Sequence, residues 1–341
     1  MIFQGVRAPD EIKSTKIMEV TEMKKMSKIM SLILAVLMAI SCFAIASAEE
    51  QFKIGVCQLV THDALDAATE GFQQAIKDIL GEENVAIDVQ NAAGDIPVCG
   101  TIVNSFVSKK YDLIMANATP ALQAAYNATM TIPILGTSVT EYGVALGIDD
   151  FSGVVGENVS GTSDLAPLTE QADMILELVP EAKVVGLLYC SAEANSLYQV
   201  KVIEEYLTEK GLVCERYSFA DSNDVSVVAT NAAKEVDVIY IPTDNTAASC
   251  AATIGNIVLN EKTPVIAGEA GICRGCGIAT LSISYYDLGY KTGEMAAQIL
   301  KGEAKIEEMA IAYAPATKMY NQEFCDELGI QIPEGYVALG E

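Results

Sequence analysis

From residue 52 to about residue 300, short apolar runs alternate with amphipathic stretches. Lys53–Gln58 is an apolar run of strand length. Asp63 then opens a stretch with Ala64, Ala68, Phe72, Ala75 and Ile79 at helical spacing. Val85–Gln90 alternates as a strand, and Pro97–Ser108 reads as a helix with proline in its first turn. Leu113–Ala116 and Ile132–Leu135 are strands on either side of a helix over Pro120–Ala128. This β-α alternation predicts a parallel sheet covered on both faces.

The pattern then repeats. Val154-Val155 reads as a short crossing strand, and a helix over Asp164–Val179 stops at Pro180. Strands are expected at Val184–Tyr189, Val213–Phe219, Val238–Ile241, Val265–Ala267 and Ile278–Ile283. Helices are expected at Glu193–Lys210, Asp224–Lys234, Asn245–Leu259 and Tyr285–Leu300. No low-complexity linker separates the halves. The predicted fold is therefore α/β, with two doubly wound parallel-sheet lobes joined by crossing strands. The expected division is 49–156 with 284–306 for one lobe and 157–283 with 307–341 for the other. A ligand cleft between the carboxyl ends of the two sheets follows from that arrangement.

Residues 1–48 read as a leader and signal peptide. Lys24, Lys25 and Lys28 precede an apolar run from Ile29 to about Ile45, and Ala46-Ser47-Ala48 suits a signal peptidase. Met23 is a better initiator than Met1. Two processing readings stand side by side: cleavage after Ala48, and lipidation of Cys42 in Ala39-Ile40-Ser41-Cys42. Either places the protein outside the cytoplasm, periplasmic or extracellular, the second as an anchored lipoprotein.

Composition narrows the functions. A net charge of −25 opposes nucleic acid and anionic lipid. After Ala48 the chain holds two arginines, Arg216 and Arg274, and no tryptophan, which disfavours a sugar or phosphate-ester site. Eight cysteines follow Ala48, mostly single within apolar segments, where Cys acts as a small hydrophobe. Cys273-x2-Cys276 lacks a second metal-ligand pair, so free thiols or a local disulfide fit better than zinc. His62 is the one histidine and has no catalytic companions in sequence. No cofactor motif, metal site or catalytic residue is expected.

The β→α turns carry the candidate chemistry. In the first half, Thr119, Thr137 and Ser138 add hydroxyls to helix N-termini that suit an anion. In the second half, Asp244 and Glu269 suit an ammonium. A zwitterion would draw the halves together. Helix capping alone accounts for the same residues equally well.

At these turns the chain resembles the substrate-binding proteins of the TrpX-type ABC transporter family. The matching stretches include Ile54-Gly55-Val56, Gln58-Leu59-Val60 with His62, Gln90-Asn91-Ala92, Ala118-Thr119-Pro120 and Gly161-Thr162-Ser163-Asp164. Glu193-Ala194-Asn195-Ser196, Pro242-Thr243-Asp244-Asn245-Thr246 and Tyr285-Tyr286-Asp287-Leu288-Gly289 extend the match. The resemblance implies the type I periplasmic-binding-protein fold and a small solute, an amino acid of the aromatic kind. It implies Gln58 and His62 beside the ligand side chain, and Thr119 and Ser138 on its carboxylate. Asn195, Ser196, Asp244 and Asn245 would close from the other lobe, with Glu269 where an Asp is expected. The implied partners are an ABC permease and its ATPase subunits, with the binding protein a monomer. The competing readings are a ligand-sensing receptor, an importer component for a nucleoside or other organic solute, and a cofactor-independent racemase using Cys57 and Cys190.

Overall fold

The computed structural model describes residues 22, 23, 25–32 and 51–340. Residues 22, 23 and 25–32 are helical and belong to a unit separate from the body. The signal-peptide and lipidation features at 33–48, and Lys24, lie outside the described residues.

The body begins with strand β1 (Phe52–Gln58), helix α1 (Asp63–Leu80), β2 (Val85–Asn91), α2 (Ile96–Ser108), β3 (Leu113–Asn117), α3 (Thr119–Ala128), β4 (Ile134–Val139), α4 (Tyr142–Leu146) and β5 (Val159–Ser163). It continues with α5 (Leu168–Leu178), β6 (Val184–Cys190), α6 (Ala194–Glu209), β7 (Val213–Phe219), α7 (Val225–Glu235), β8 (Val238–Ile241), α8 (Asn245–Ser249), α9 (Ala251–Glu261), β9 (Val265–Ala267), α10 (Ala270–Cys276) and β10 (Ala279–Ser282). Helix α11 (Tyr285–Leu300) leads to β11 (Ala312–Tyr313), β12 (Thr317–Tyr320), α12 (Gln322–Leu328) and β13 (Val337–Ala338).

Two sheets result. The first has the order β11-β5-β4-β3-β1-β2, and the second β13-β12-β10-β9-β8-β6-β7. Pairing is parallel except between β10 and β12. Counted within each half, β1–β5 and β6–β10 share one order, 2-1-3-4-5, so the halves repeat one plan. The order reverses beside β1 and β3 in one sheet and beside β6 and β8 in the other. Crevices outside the carboxyl ends of such switch points are where open α/β sheets hold ligands.

Both faces of each sheet are covered. Ile54, Val56, Leu113 and Met115 pack on one face of the first sheet, and Ile114, Ala116 and Phe106 on the other. Leu187, Tyr240, Ile254, Ile266 and Leu281 belong to the core of the second. Helix α1 buries Ala64, Ala68, Phe72 and Ala75 as its spacing predicts, but Ile76 goes inward and Ile79 stays exposed.

Three segments carry the chain between the sheets, after β5, after β10 and after β11. Ile283, Tyr285, Ala314 and Ala316 pack there against Ala64 and Ala68. Helix α11, although it follows the second sheet, lies on α1. Gly71 and Gly289 make this approach close: a Cβ on Gly289 would stand 1.9 Å from the Ala68 carbonyl oxygen, and one on Gly71 2.1 Å from that of Tyr286.

Several expectations need correction. Val159–Ser163 is a fully buried strand of the first sheet, and the helix expected from Asp164 begins at Leu168. The chain therefore changes sheet after Ser163 and again after Tyr313, where the sequence pattern suggested 156 and 306. Val154 forms only an isolated bridge to Ala310. The helix expected over 245–259 breaks at Cys250 into α8 and α9. The eight cysteines of the body are free thiols, one of the two readings the sequence left open.

Candidate functional site

The switch points bring six turns together, and most of the polar side chains there are buried. Glu193 organises one side. Its Oε1 accepts from Thr246 N (2.9 Å) and Thr246 Oγ1 (2.8 Å). Its Oε2 accepts from Asn245 N (3.1 Å), Asn245 Nδ2 (2.6 Å) and Asn195 Nδ2 (3.2 Å). With Asn245 Nδ2 committed to Glu193, its Oδ1 faces His62 Nε2 at 3.3 Å. His62 Nε2 therefore donates, which leaves Nδ1 as an acceptor. This bond joins the β1–α1 turn of one sheet to the β8–α8 turn of the other. Asp63 and Arg274 add an ion pair across the same seam at 2.5 Å.

Asp244 and Glu269 are helix caps. Asp244 Oδ1 accepts from Ala247 N (2.8 Å), while Oδ2 takes Cys190 N (2.6 Å) and Ser196 Oγ (2.7 Å). Burial, reinforced by the charge of Glu193, pushes the Asp244 carboxyl up to about 7. Glu269 accepts from the main-chain N–H groups of Gly271 and Ile272, and burial raises its carboxyl above the ordinary value. Asp244→Ala would leave two buried main-chain donors without acceptors. The ligand-free protein is expected to lose about 1–3 kcal/mol of stability. Calorimetry of that variant checks this; an unchanged melting temperature would contradict it.

Gln58 and Thr137 are also occupied internally. Gln58 Nε2 donates to Val60 O (2.9 Å) and Asp66 Oδ1 (2.6 Å), and its Oε1 accepts from Thr69 (2.6 Å). Thr137 Oγ1 accepts from Thr162 Oγ1 at 3.2 Å.

Other groups have nothing to bond to. Among the described residues, buried side-chain polar atoms without partners are His62 Nδ1, Asn117 Oδ1, Thr119 Oγ1, Ser138 Oγ, Asp164 Oδ1, Asn195 Oδ1 and Thr280 Oγ1. All but Thr280 sit at or just beyond the carboxyl end of a strand. A buried polar group without a partner costs about 1–3 kcal/mol. Backbone strain coincides with it: Ala118, beside Thr119, has φ 95°, and Ser138 has φ 53°.

Asp164 was absent from the sequence candidates for ligand contact. It sits in the first segment that crosses between the sheets, and its Oδ2 accepts from Tyr285 OH at 3.0 Å across the second. Burial pushes its carboxyl up to about 6; hydroxyls of Thr140 and Tyr285 offset part of this, and the charge of Glu269 adds to it.

Space remains between the sheets. A cavity of about 120 Å³ has Leu59, Val60, Gly94 and Ile96 on one wall and Cys190, Glu193, Asn245 and Thr246 on the other. A wider recess of about 300 Å³ lies between Thr61, His62 and Asp63 and the α8–α10 region.

The family model for ABC transporter substrate binding proteins matches residues 53–340, almost the whole body. This chain belongs to that family. Substrate-binding proteins of ABC transporters are extracytoplasmic, take a small-molecule ligand and work with a membrane permease. A tyrosine-binding protein from Clostridioides difficile (strain R20291) is 36% identical over 299 residues, which cover 83% of this chain and 86% of that protein.

Two solved structures bear on the arrangement of the lobes. The Streptococcus pneumoniae ABC domain in complex with L-Trp overlays with a TM-score of 0.80 at 32% identity, covering 84% of this chain and all of that one. The ligand-free, open structure of a substrate binding protein with adhesive properties from Clostridium difficile is 38% identical. It covers 84% of this chain and 98% of its own, yet overlays with a TM-score of only 0.64. Sequence divergence alone predicts the reverse ranking. A rotation between lobes lowers an overall overlay without altering either lobe. In the present structure the His62–Asn245 and Asp63–Arg274 contacts join the two lobes.

Proposed function

We propose that this substrate-binding protein captures an aromatic amino acid between its two sheets and presents it, in the closed form, to an ABC permease driven by ATPase subunits. The carrying observation is the set of unpartnered buried atoms at the strand ends. Thr119 and Ser138 supply hydroxyl donors on the first sheet, suited to a carboxylate. Asp164, Asn195 and His62 supply acceptors suited to an ammonium and a polar ring substituent. A zwitterion satisfies both sets at once. The tyrosine-binding and L-Trp-bound relatives support an aromatic side chain. The cavity of about 120 Å³ approaches the ~150 Å³ of a cavity that holds a benzene ring.

Closure follows thermodynamically. A ligand stabilises the closed form only through contacts made with both lobes, and Asn195 follows a strand of the second sheet whereas Thr119, Ser138 and His62 follow or end strands of the first. The role requires no chemical step, so the protein is read as a monomeric carrier and not an enzyme. Its N-terminal segment is read as an export signal, with Cys42 a lipidation site or Ala48 the cleavage point.

Thermal-shift measurement of the refolded protein tests this. Refolding removes ligand carried over from expression. L-Tyr, L-Trp or L-Phe at 100 times its Kd should stabilise the protein by about 2.7 kcal/mol and raise the melting temperature. No response to any of the three, with a clear response to a nucleoside, would move the protein to another ligand class.

A further inference from the structure

Two of the bare acceptors at the cleft are set by one buried carboxylate. Glu193 is only 2% exposed. Its two oxygens take five donors, all neutral, which leaves no lone pair for a guest. Each oxygen receives one main-chain N–H, Thr246 on Oε1 and Asn245 on Oε2, and a main-chain donor cannot turn round. The asparagine side chains must therefore meet Oε2 with their NH2 groups. Asn195 does so at 3.2 Å, donates also to Thr243 O at 2.9 Å, and leaves its Oδ1 bare. Asn245 does so at 2.6 Å and turns its Oδ1 to His62 Nε2, which donates and leaves Nδ1 bare. On the aromatic amino-acid reading above, we propose that Glu193 determines specificity through these amides. It makes this corner of the site accept only, so that a ligand with a hydrogen-bond donor on its ring, a phenol or an indole, is taken in preference to phenylalanine.

The ligand ammonium has a charged acceptor in Asp164, and a charge-assisted hydrogen bond is roughly twice as strong as a neutral one. The imidazole nitrogen is left for a neutral O–H or N–H. L-Tyr and L-Trp each bring one. L-Phe brings none and would leave Nδ1 buried without a partner. Glu193 and Asn245 line the cavity of about 120 Å³ and His62 lines the wider recess, with Ser249 common to both spaces.

Glutamine and alanine at position 193 separate this role from a merely structural one. With its carbonyl in place of Oε2, glutamine still accepts from both asparagines. Its NH2 then replaces Oε1, where the Thr246 hydroxyl can rotate to accept, and only the Thr246 main-chain N–H loses its acceptor. Alanine frees the Asn245 amide to rotate, and with it the proton on His62.

His62 is the one histidine in the chain, so tag-free protein labelled with 15N-histidine reports on it without assignment. A two-bond 1H–15N spectrum at about pH 8, above the ordinary histidine value, shows which ring nitrogen carries the hydrogen. Refolded protein is measured alone and with L-Tyr. The parent and Glu193→Gln should hold the hydrogen on Nε2, and Glu193→Ala should give a mixture. In titration calorimetry the parent and Glu193→Gln should bind L-Tyr and L-Trp about tenfold or more tighter than L-Phe, and Glu193→Ala should lose most of that preference. A hydrogen on Nδ1, or shared between the nitrogens, in the parent both alone and with L-Tyr would overturn the proposal. So would L-Phe binding level with the other two, or a preference unchanged in Glu193→Ala. If Glu193→Ala fails to fold, Asn245→Ala removes the same link and is held to the same outcomes. Failure of all three amino acids to bind the parent would sink the proposed function and the preference with it, while the spectrum of the ligand-free protein still shows whether Glu193 fixes the His62 tautomer.

Discussion

Asp164→Asn is expected to weaken aromatic amino-acid binding by about 10- to 100-fold, the range that loss of one hydrogen bond to a charged group produces. Asp164 has one oxygen on Tyr285 OH and the other without a partner, both buried. Asparagine preserves the acceptor for Tyr285, so the link between the two crossing segments persists while the charge facing an ammonium is lost. The ligand-free variant should melt no lower than the parent, because a desolvated carboxyl has been replaced by a neutral group. Isothermal titration calorimetry and a melt of the same sample separate the two effects.

The same carboxyl gives binding a pH dependence. Its value in the free protein is raised to about 6, while contact with an ammonium favours the ionised form and lowers it. Binding therefore releases a proton when pH is below the free-protein value. Affinity should be full above that value and fall roughly tenfold per pH unit below it. The ligand's own carboxylate and ammonium do not titrate in this window. Asp164→Asn should flatten the profile. Unchanged affinity together with an unchanged profile would remove Asp164 from ligand contact.

The largest expected effect on stability is at Gly289. A Cβ there would meet the carbonyl oxygen of Ala68 at 1.9 Å and its carbonyl carbon at 2.6 Å. Both belong to helix main chain, which has no rotamer to turn aside. Gly289→Val therefore forces α11 off α1, and overpacking of this kind costs roughly 3 kcal/mol or more. At about 2 °C per kcal/mol for a chain of this size, the melting temperature should fall by about 6 °C or more. Differential scanning calorimetry checks this; a variant that melts with the parent would mean the two helices have slack the structure does not show.

The fold was largely legible because its strands are apolar runs and most of its helices carry a clear buried stripe. Strand β5 escaped detection for a definite reason. Val159-Ser160-Gly161-Thr162-Ser163 is entirely buried, yet small and hydroxylic, and its hydroxyls bond to the Met309 and Thr140 carbonyls and to Thr292 of α11. Hydropathy has no means of marking such a strand. Missing it also misplaced Asp164, which was read as the start of a helix. Pro167 held the correction, since proline belongs in the first turn of a helix and the true one starts at Leu168. The turn residues were legible as a group because ligand sites lie at carboxyl ends of strands. Their separate duties were not legible, because Asp244 and Glu269 as caps and Asp164 with a spare oxygen look alike in sequence. Only the hydrogen-bond partners distinguish them.

The return of α11 and β11 to the first sheet has a consequence for the order of assembly. The first lobe starts at Phe52, yet it lacks α11 and one edge strand until residue 313 has emerged. Strands β6–β10 of the second half are thus spelled out before the first can be finished. A chain threaded outward from its N-terminus cannot lock its leading lobe early.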